Sequence, residues 1–387
     1  MNKNFDIEFD RHNTKCRKWD FELVNQRFGV SKNFIPMHIA DMDFPIAKPI
    51  VDAVSKRAAI PDYGYTYAYD KYYEAVINWN KRRHNIEYKK EWIKLMFGTN
   101  GSTRYAVQCF CKPGDSVLIN TPVYGPFAEA VYSGNCKLIT SPLKLLENRY
   151  FLDFEDIEKK IVENKVKVYI FCNPHNPGGR VWTDEELYKL CEICIKHNVL
   201  LVSDEVHCEM IFGNNKFITM FNAHPNIKDK CIVCSSPNKA FNLGGLKSSY
   251  MIISNDKIRQ RMLDYTNKVF ITSPHIFIIP AIVAAYNECE QWLDDVVEYI
   301  DNNFKYFYSF MSKHFPKVKV MENDSSYLAW TYFGEMFNNE DEILNFFKEA
   351  NIAVEVGSHF VSDGNCWVRF NLGMPISLLK EALNRLI

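Results

Sequence analysis

An α/β fold built on a parallel, doubly wound sheet follows from two features of the sequence. From residue 92 onward, short apolar runs alternate with stretches of helical spacing, the pattern of strand–helix–strand units. Several of those runs end in a polar or glycine-rich group: Gly98-Thr99, Tyr124, Asn173 to Gly179, Asp204 to His207, and Lys239. In a parallel sheet these carboxyl ends share one edge, where open α/β folds bind ligands. Beyond about residue 280 the helices lengthen and the strands become sparse, which predicts a second, smaller α+β domain joined by the N-terminal segment.

Residues 1–36 are of mixed character and end at Phe34-Ile35-Pro36, and Met37 to Pro45 is a short extended piece closed by proline. Helical spacing over Ile46 to Ala59 and Asp70 to Arg83 brackets a tyrosine-rich loop, Pro61 to Tyr67. Trp92 to Phe97 reads as a strand, followed by Gly98-Thr99-Asn100-Gly101-Ser102 and a helix through Cys111. Asp115 to Asn120, Val166 to Cys172 and Val199 to Ser203 are further strands. Thr183 and Glu186 have the spacing of a capping box, so a helix starts there. The apolar run from Cys231 stops at Ser235-Ser236, turns through Pro237 and presents Lys239, before a second apolar run from Tyr250 to Ile253. Later helices are predicted over Ile282 to Trp292, Asp294 to Phe315, Asp341 to Ala350 and Ile376 to Ile387. Strands fall at Lys317 to Met321, Tyr327 to Tyr332, near Ile352 to Val356, and at Trp367 to Phe370. The domains are expected at 46–280 and at 1–45 with 281–387.

The totals narrow the function. An apolar fraction of 47% over 387 residues supplies a large core and argues against disorder. Lys plus Arg is 46 against 47 for Asp plus Glu, and no basic tail is present, so nucleic acid is not the expected partner. The first residues, Met1 to Asp6, carry no apolar signal segment. The longest apolar run, Val269 to Tyr286, is broken by Thr272, Ser273, Pro274, His275 and Pro280, so no membrane span is expected. Of the 12 cysteines, Cys191/Cys194 and Cys231/Cys234 have CxxC spacing. They fall inside a helical and a strand pattern, with no loop to wrap a metal, and read as small apolar residues with no metal site. Many free thiols fit a reducing cytoplasm.

A desolvated lysine at a strand end can lose its proton and attack a carbonyl to form a Schiff base. Serines just before Lys239 could hold an anion such as phosphate. The Gly98-Thr99 loop, opening a helix, is a second plausible phosphate cradle. Each reading has a plainer alternative: a surface lysine, or a simple turn.

The combination resembles the fold-type I pyridoxal-phosphate enzymes of the class I/II aminotransferase superfamily. Within it the chain is most similar to the MalY/PatB branch of cystathionine β-lyases, or carbon–sulfur lyases. Nearly the whole chain carries the markers: Ala40-Asp41-Met42-Asp43-Phe44, Gly64-Tyr65-Thr66, Thr121 to Tyr124, Cys172 to Gly179, Ser203 to His207, Lys239 to Asn242, Ser326 to Trp330, and Val368 to Asn371. The resemblance implies a large domain with a mostly parallel, seven-stranded, doubly wound sheet, plus the smaller α+β domain.

It also implies roles. Lys239 would hold pyridoxal 5'-phosphate as a Schiff base and then remove the substrate Cα proton. Asp204 would pair with the pyridine nitrogen, Tyr124 would stack on the ring, and Asn176 and His207 would lie by its phenolic oxygen. Gly98, Thr99 and Ser236 match phosphate-cradle positions, and Tyr65 matches a tyrosine reaching in from the partner of a homodimer. Arg369 would clamp the substrate carboxylate bidentately, with the backbone at Ile39-Ala40 closing over it.

There are two departures from the family pattern. Asn238 precedes the lysine where many relatives have serine, and Lys247 stands where many aminotransferases have a phosphate-binding arginine. The implied reaction is α,β-elimination of a sulfur amino acid to pyruvate, ammonia and a thiol. An aminotransferase using the same site is the alternative, and a cofactor-bearing binding or regulatory protein is a third.

Overall fold

The computed structural model describes residues 3–387; Met1 and Asn2, counted with the N-terminal segment, lie outside the described residues. Seven strands make the central sheet: β1 (Ile93–Phe97), β2 (Ser116–Thr121), β3 (Lys137–Pro142), β4 (Val168–Cys172), β5 (Leu200–Asp204), β6 (Cys231–Ser235) and β7 (Ser248–Ile252). Their order is β1-β7-β6-β5-β4-β2-β3. The neighbours from β6 to β3 all pair parallel, whereas β7 runs antiparallel to both β6 and β1. The expected seven-stranded, mostly parallel sheet is present. β3 and the helices around it, Pro126–Ser133 and Phe154–Asn164, complete the region between residues 121 and 166.

β2, β4, β5, β6 and β7 are buried along their whole length, which is why they read as continuous apolar runs rather than alternating ones. Helices on both faces supply the covering layers. Asp184–Lys196 starts on the predicted capping box: Thr183 accepts from the Glu186 N–H, and the Glu186 carboxylate accepts from the Thr183 N–H at 2.8 Å. The long helices fall at Ile278–Glu288 and Glu290–His314. Beyond them a four-stranded antiparallel sheet uses Lys319–Val320, Leu328–Tyr332, Trp367–Asn371 and Glu355–Val356, in that spatial order. Ile35–Pro36 pairs in parallel with Ile352–Ala353, tying the N-terminal segment to the C-terminal part. No helix among the described residues is long and apolar enough to cross a membrane.

The CxxC cysteines are buried in apolar surroundings, in the 184–196 helix and in β6. Burial pushes the thiols up, Cys191 to about 12, as for inert structural cysteines.

Candidate active site

The carboxyl ends of the parallel strands, together with the start of the helix Thr99–Phe110, enclose a cleft of about 410 Å³. Its lining includes Ala40, Gly98, Thr99, Tyr124, Asn176, Asp204, His207, Lys239 and Lys247. Residues up to about 200 positions apart therefore meet: most stand at or just past a strand end, as expected for this sheet type, while Ala40 comes from the 37–45 segment and Lys247 from just before β7.

Gly98 has φ +82°, a conformation that L side chains rarely adopt, and nothing lies within 4 Å of where its Cβ would be. The backbone thus opens onto free space at a helix N-terminus, where unpaired N–H groups and the helix dipole favour an anion. Lys247 lines the same cleft, with no acid bonded to it among the described residues. Ser236 is placed differently. Its hydroxyl donates to the Ser248 carbonyl at 2.5 Å and accepts from the Asn238 N–H at 3.0 Å, and it does not line the cleft. Asn238 accepts from the Ser248 hydroxyl at 2.8 Å, so it braces the lysine loop against β7.

On the opposite side Asp204 is 3% exposed and accepts from the Val206 N–H at 3.2 Å. Burial pushes its carboxyl up to about 7, partly offset by that N–H and by Lys239. Such a group calls for a cationic partner inside the cleft. Burial drives His207 well below its ordinary value, helped by Lys239 and Arg369, and its Nδ1 is buried without a hydrogen-bond partner. Tyr124 accepts from Asn100 Nδ2 at 3.1 Å, which fixes its ring at the cleft edge. Lys239 Nζ donates to the Ala40 carbonyl at 2.6 Å. Burial and the nearby Arg369 bring its amine down to about 8, so about a tenth of it is neutral at pH 7, far more than for an ordinary lysine.

Arg369 is buried, donating from one Nη to Asn176 Oδ1 at 3.2 Å and from the other to the His38 carbonyl at 2.9 Å. Its Nε has no partner, and its guanidinium lies 5.0 Å from the Phe360 ring centroid. A buried guanidinium with spare donors suits a carboxylate. Tyr65 is fully exposed and does not line this chain's cleft.

Several residues that hold the site were not among the predicted site residues, although Asp43, Tyr327 and Asn371 fall inside the motifs quoted above. Tyr327 donates to the same Ala40 carbonyl at 2.9 Å. Asn371 Nδ2 donates to the Ile39 carbonyl at 2.6 Å and to the Asp41 carbonyl at 2.5 Å. Asp43 is gripped by Arg11 at 2.7 Å, Lys18 at 2.6 Å and Trp19 at 2.8 Å. These bonds make residues 38–43 a fixed strap across the cleft. One end receives Arg369 and the middle receives Lys239, so the buried guanidinium and the amine are set against a common backbone. The donor set fits pyridoxal 5'-phosphate: an amine of lowered basicity, a buried acid that a cation would stabilise, an aromatic edge, and a glycine-lined anion cradle.

The model of the family described as aminotransferase class I and II matches residues 35–386. The chain belongs to this family. It is 34% identical to cystathionine beta-lyase PatB of Bacillus subtilis (strain 168) over 384 residues, covering 99% of this chain and 98% of that protein. Among solved structures, cystalysin from Treponema denticola, which contains a pyridoxal 5'-phosphate cofactor, has a TM-score of 0.96 at 31% identity, covering 100% of this chain and 98% of that one. The PLP-bound C-S lyase from Staphylococcus hominis has a TM-score of 0.92 at 32% identity, with coverages of 100% and 97%.

Proposed function

We propose that the protein is a pyridoxal-phosphate-dependent carbon–sulfur β-lyase acting on sulfur amino acids such as cystathionine. The observation that carries this reading is the pairing, in one cleft, of a lysine amine brought down to about 8 with a carboxyl pushed up to about 7. Similarity to a cystathionine beta-lyase and to C-S lyases over almost the whole chain supports elimination over amino-group transfer.

When bound, the cofactor supplies an electron sink for the pair left on the substrate Cα. The protein does the rest. Arg369 holds the substrate carboxylate through its fork, with the Ile39-Ala40 backbone alongside. Lys239, whose amine would hold the cofactor, would also serve as the base for the Cα proton. Asp204 would pair with the ring nitrogen and, ionised beside it, would favour its protonated form and so the electron sink. Asn176 and His207 would flank the phenolic oxygen, and Tyr124 would cover the ring face; all three line the cleft. Gly98, Thr99 and Lys247 would receive the phosphate, with Ser236 acting through the loop it braces. The β-sulfur leaves as a thiolate, and pyruvate and ammonia follow by hydrolysis.

Two tests apply. Incubation of the cofactor-loaded protein with cystathionine should release pyruvate, while amino acids without a β leaving group should leave the cofactor unaminated. Pyridoxamine phosphate accumulating without pyruvate would transfer the assignment to an aminotransferase. Borohydride should add the cofactor's mass at Lys239, and Lys239→Ala should abolish the adduct; an adduct at another lysine would remove the nucleophile.

The same reading gives a cytoplasmic homodimer in which Tyr65 completes the neighbour's site, divided into domains at 46–280 and at 1–45 with 281–387. Its support is the exposure of Tyr65, Tyr67 and Phe270 at 102%, 72% and 87%, unusual for aromatic side chains. Mixing Tyr65→Ala with Lys239→Ala protein should restore part of the activity through hybrid dimers with one intact site; no recovery in verified hybrids would refute the shared site.

A further inference from the structure

Immediately beyond Asp204 the chain faces two ways. His207 lines the cofactor cleft, while Cys208 and Glu209 line a separate groove of about 880 Å³ on the other side. There they meet His84, the last residue of the helix Asp70–His84. His84 Nε2 lies 2.8 Å from Glu209 Oε1, Cys208 Sγ lies 3.6 Å from the same oxygen, and the three donor atoms all fall within 4.8 Å of one another. Cys208 and Glu209 are 4% and 5% exposed, and Glu209 Oε2 is buried without a hydrogen-bond partner.

We propose that His84, Cys208 and Glu209 form a zinc site. The mechanism above uses none of the three. A mixed nitrogen, sulfur and oxygen set suits zinc, and a thiolate disfavours magnesium or calcium. Metal–ligand bonds of about 2.0–2.3 Å in a tetrahedron put ligand atoms about 3.3–3.7 Å apart. The sulfur–carboxylate separation already has that value, and the histidine must open from its hydrogen bond by about half an ångström. The groove leaves a fourth position for water and a path of entry.

The neighbours agree with this assignment. Trp79 Nε1 donates to Glu209 Oε1 at 2.6 Å, the kind of outer partner that orients a ligating carboxylate. Arg83 Nε stands 3.8 Å from Glu209 Oε2, but its Nη1 lies 2.8 Å from Asp294 and 3.6 Å from Glu290, so its charge is met without Glu209. Zinc entry displaces two protons to solvent, one from the Cys208 thiol and one from the His84–Glu209 hydrogen bond, leaving the net charge of the cluster unchanged. The ion would pin the helix that follows the Tyr65 loop to the segment carrying Asp204 and His207.

The test uses full-length, cofactor-loaded protein dialysed free of metal. Equilibrium dialysis with zinc should give one ion per chain, and cobalt(II) should give an intense thiolate-to-cobalt absorption. Cys208→Ser should lose that absorption, and both Cys208→Ser and His84→Gln should bind zinc at least tenfold more weakly. Failure of the parent protein to take up one equivalent, or to show the cobalt–thiolate band, overturns the site. Unchanged zinc affinity in both variants overturns it too. Should a variant not fold, the cobalt spectrum of the parent protein decides alone.

Discussion

Replacing Asp204 by Asn should stabilise the cofactor-free protein while damaging the loaded one, and the effect should follow pH in a defined way. In the cofactor-free chain the Asp204 carboxyl sits at about 7 because burial disfavours its charge, against 3.8 for an ordinary aspartate. An acid whose folded value lies above its unfolded value binds its proton more tightly when folded. Stability is therefore full below about pH 4, falls as pH rises through the interval, and levels off above about pH 7. The gap corresponds to about 4 kcal/mol against the charged form, an upper bound on what is lost. Asn never ionises and keeps an oxygen for the Val206 N–H, which Asp204 now accepts at 3.2 Å. Chemical denaturation of both proteins, stripped of cofactor, should give equal stabilities near pH 4 and an advantage to Asp204→Asn approaching about 4 kcal/mol at pH 8. With cofactor added the order should narrow or reverse, because only the aspartate gains a cationic partner. An advantage that is constant across pH, or a variant less stable at pH 8, would refute the account of Asp204 as a strained acid awaiting a cation.

Three further outcomes follow from the site. Arg369→Lys should lower kcat/KM by about 10- to 100-fold, chiefly through KM, since charge-assisted hydrogen bonds contribute about 1.5–3 kcal/mol and lysine lacks the fork; steady-state kinetics showing a loss confined to kcat would contradict the clamp. Tyr327→Phe removes one of the two donors to the Ala40 carbonyl and should cut kcat by about 2- to 10-fold with KM nearly unchanged; a pure KM effect would show that the strap does not position the base. Gly357→Ala would drive a Cβ to 1.6 Å from the Gly364 carbonyl oxygen, which is backbone and cannot yield. It should destabilise by about 1–3 kcal/mol and raise KM by displacing Phe360 from beneath Arg369, read by thermal denaturation and kinetics together; unchanged values would mean that this loop does not hold the clamp.

The elements readable in advance were those whose environment is uniform. β4, β5 and β6 are buried throughout and bounded by polar groups, so an apolar run and its end were both visible. The Thr183–Glu186 cap was equally plain because it is local. β3 was not legible: its first four residues are exposed or half-buried, so Lys137 to Thr140 look like any mixed surface stretch. The antiparallel entry of β7 was also hidden, since its composition matches that of its parallel neighbours and only the connection through Gly244–Leu246 turns it round.

The site divides along the same line. Lys239, Asp204, Asn176 and Gly98 stand at strand ends within recognisable motifs, and a motif is a local object. The strap over residues 38–43 is held from Arg11, Lys18, Trp19, Asn242, Tyr327 and Asn371, positions scattered across the chain. Nothing local distinguishes Arg11, Lys18 and Trp19 from ordinary core or surface residues, and the motifs that hold Asn242, Tyr327 and Asn371 do not show that these side chains reach the strap. Yet they fix the strap that both the Arg369 guanidinium and the Lys239 amine bond to, the proposed carboxylate holder and base, and proton transfer is sensitive to such distances. The chemistry is thus written in short motifs, whereas the geometry that makes it fast depends on long-range hydrogen bonds to the Asp43 carboxylate and to backbone carbonyls, pairings that no local pattern specifies.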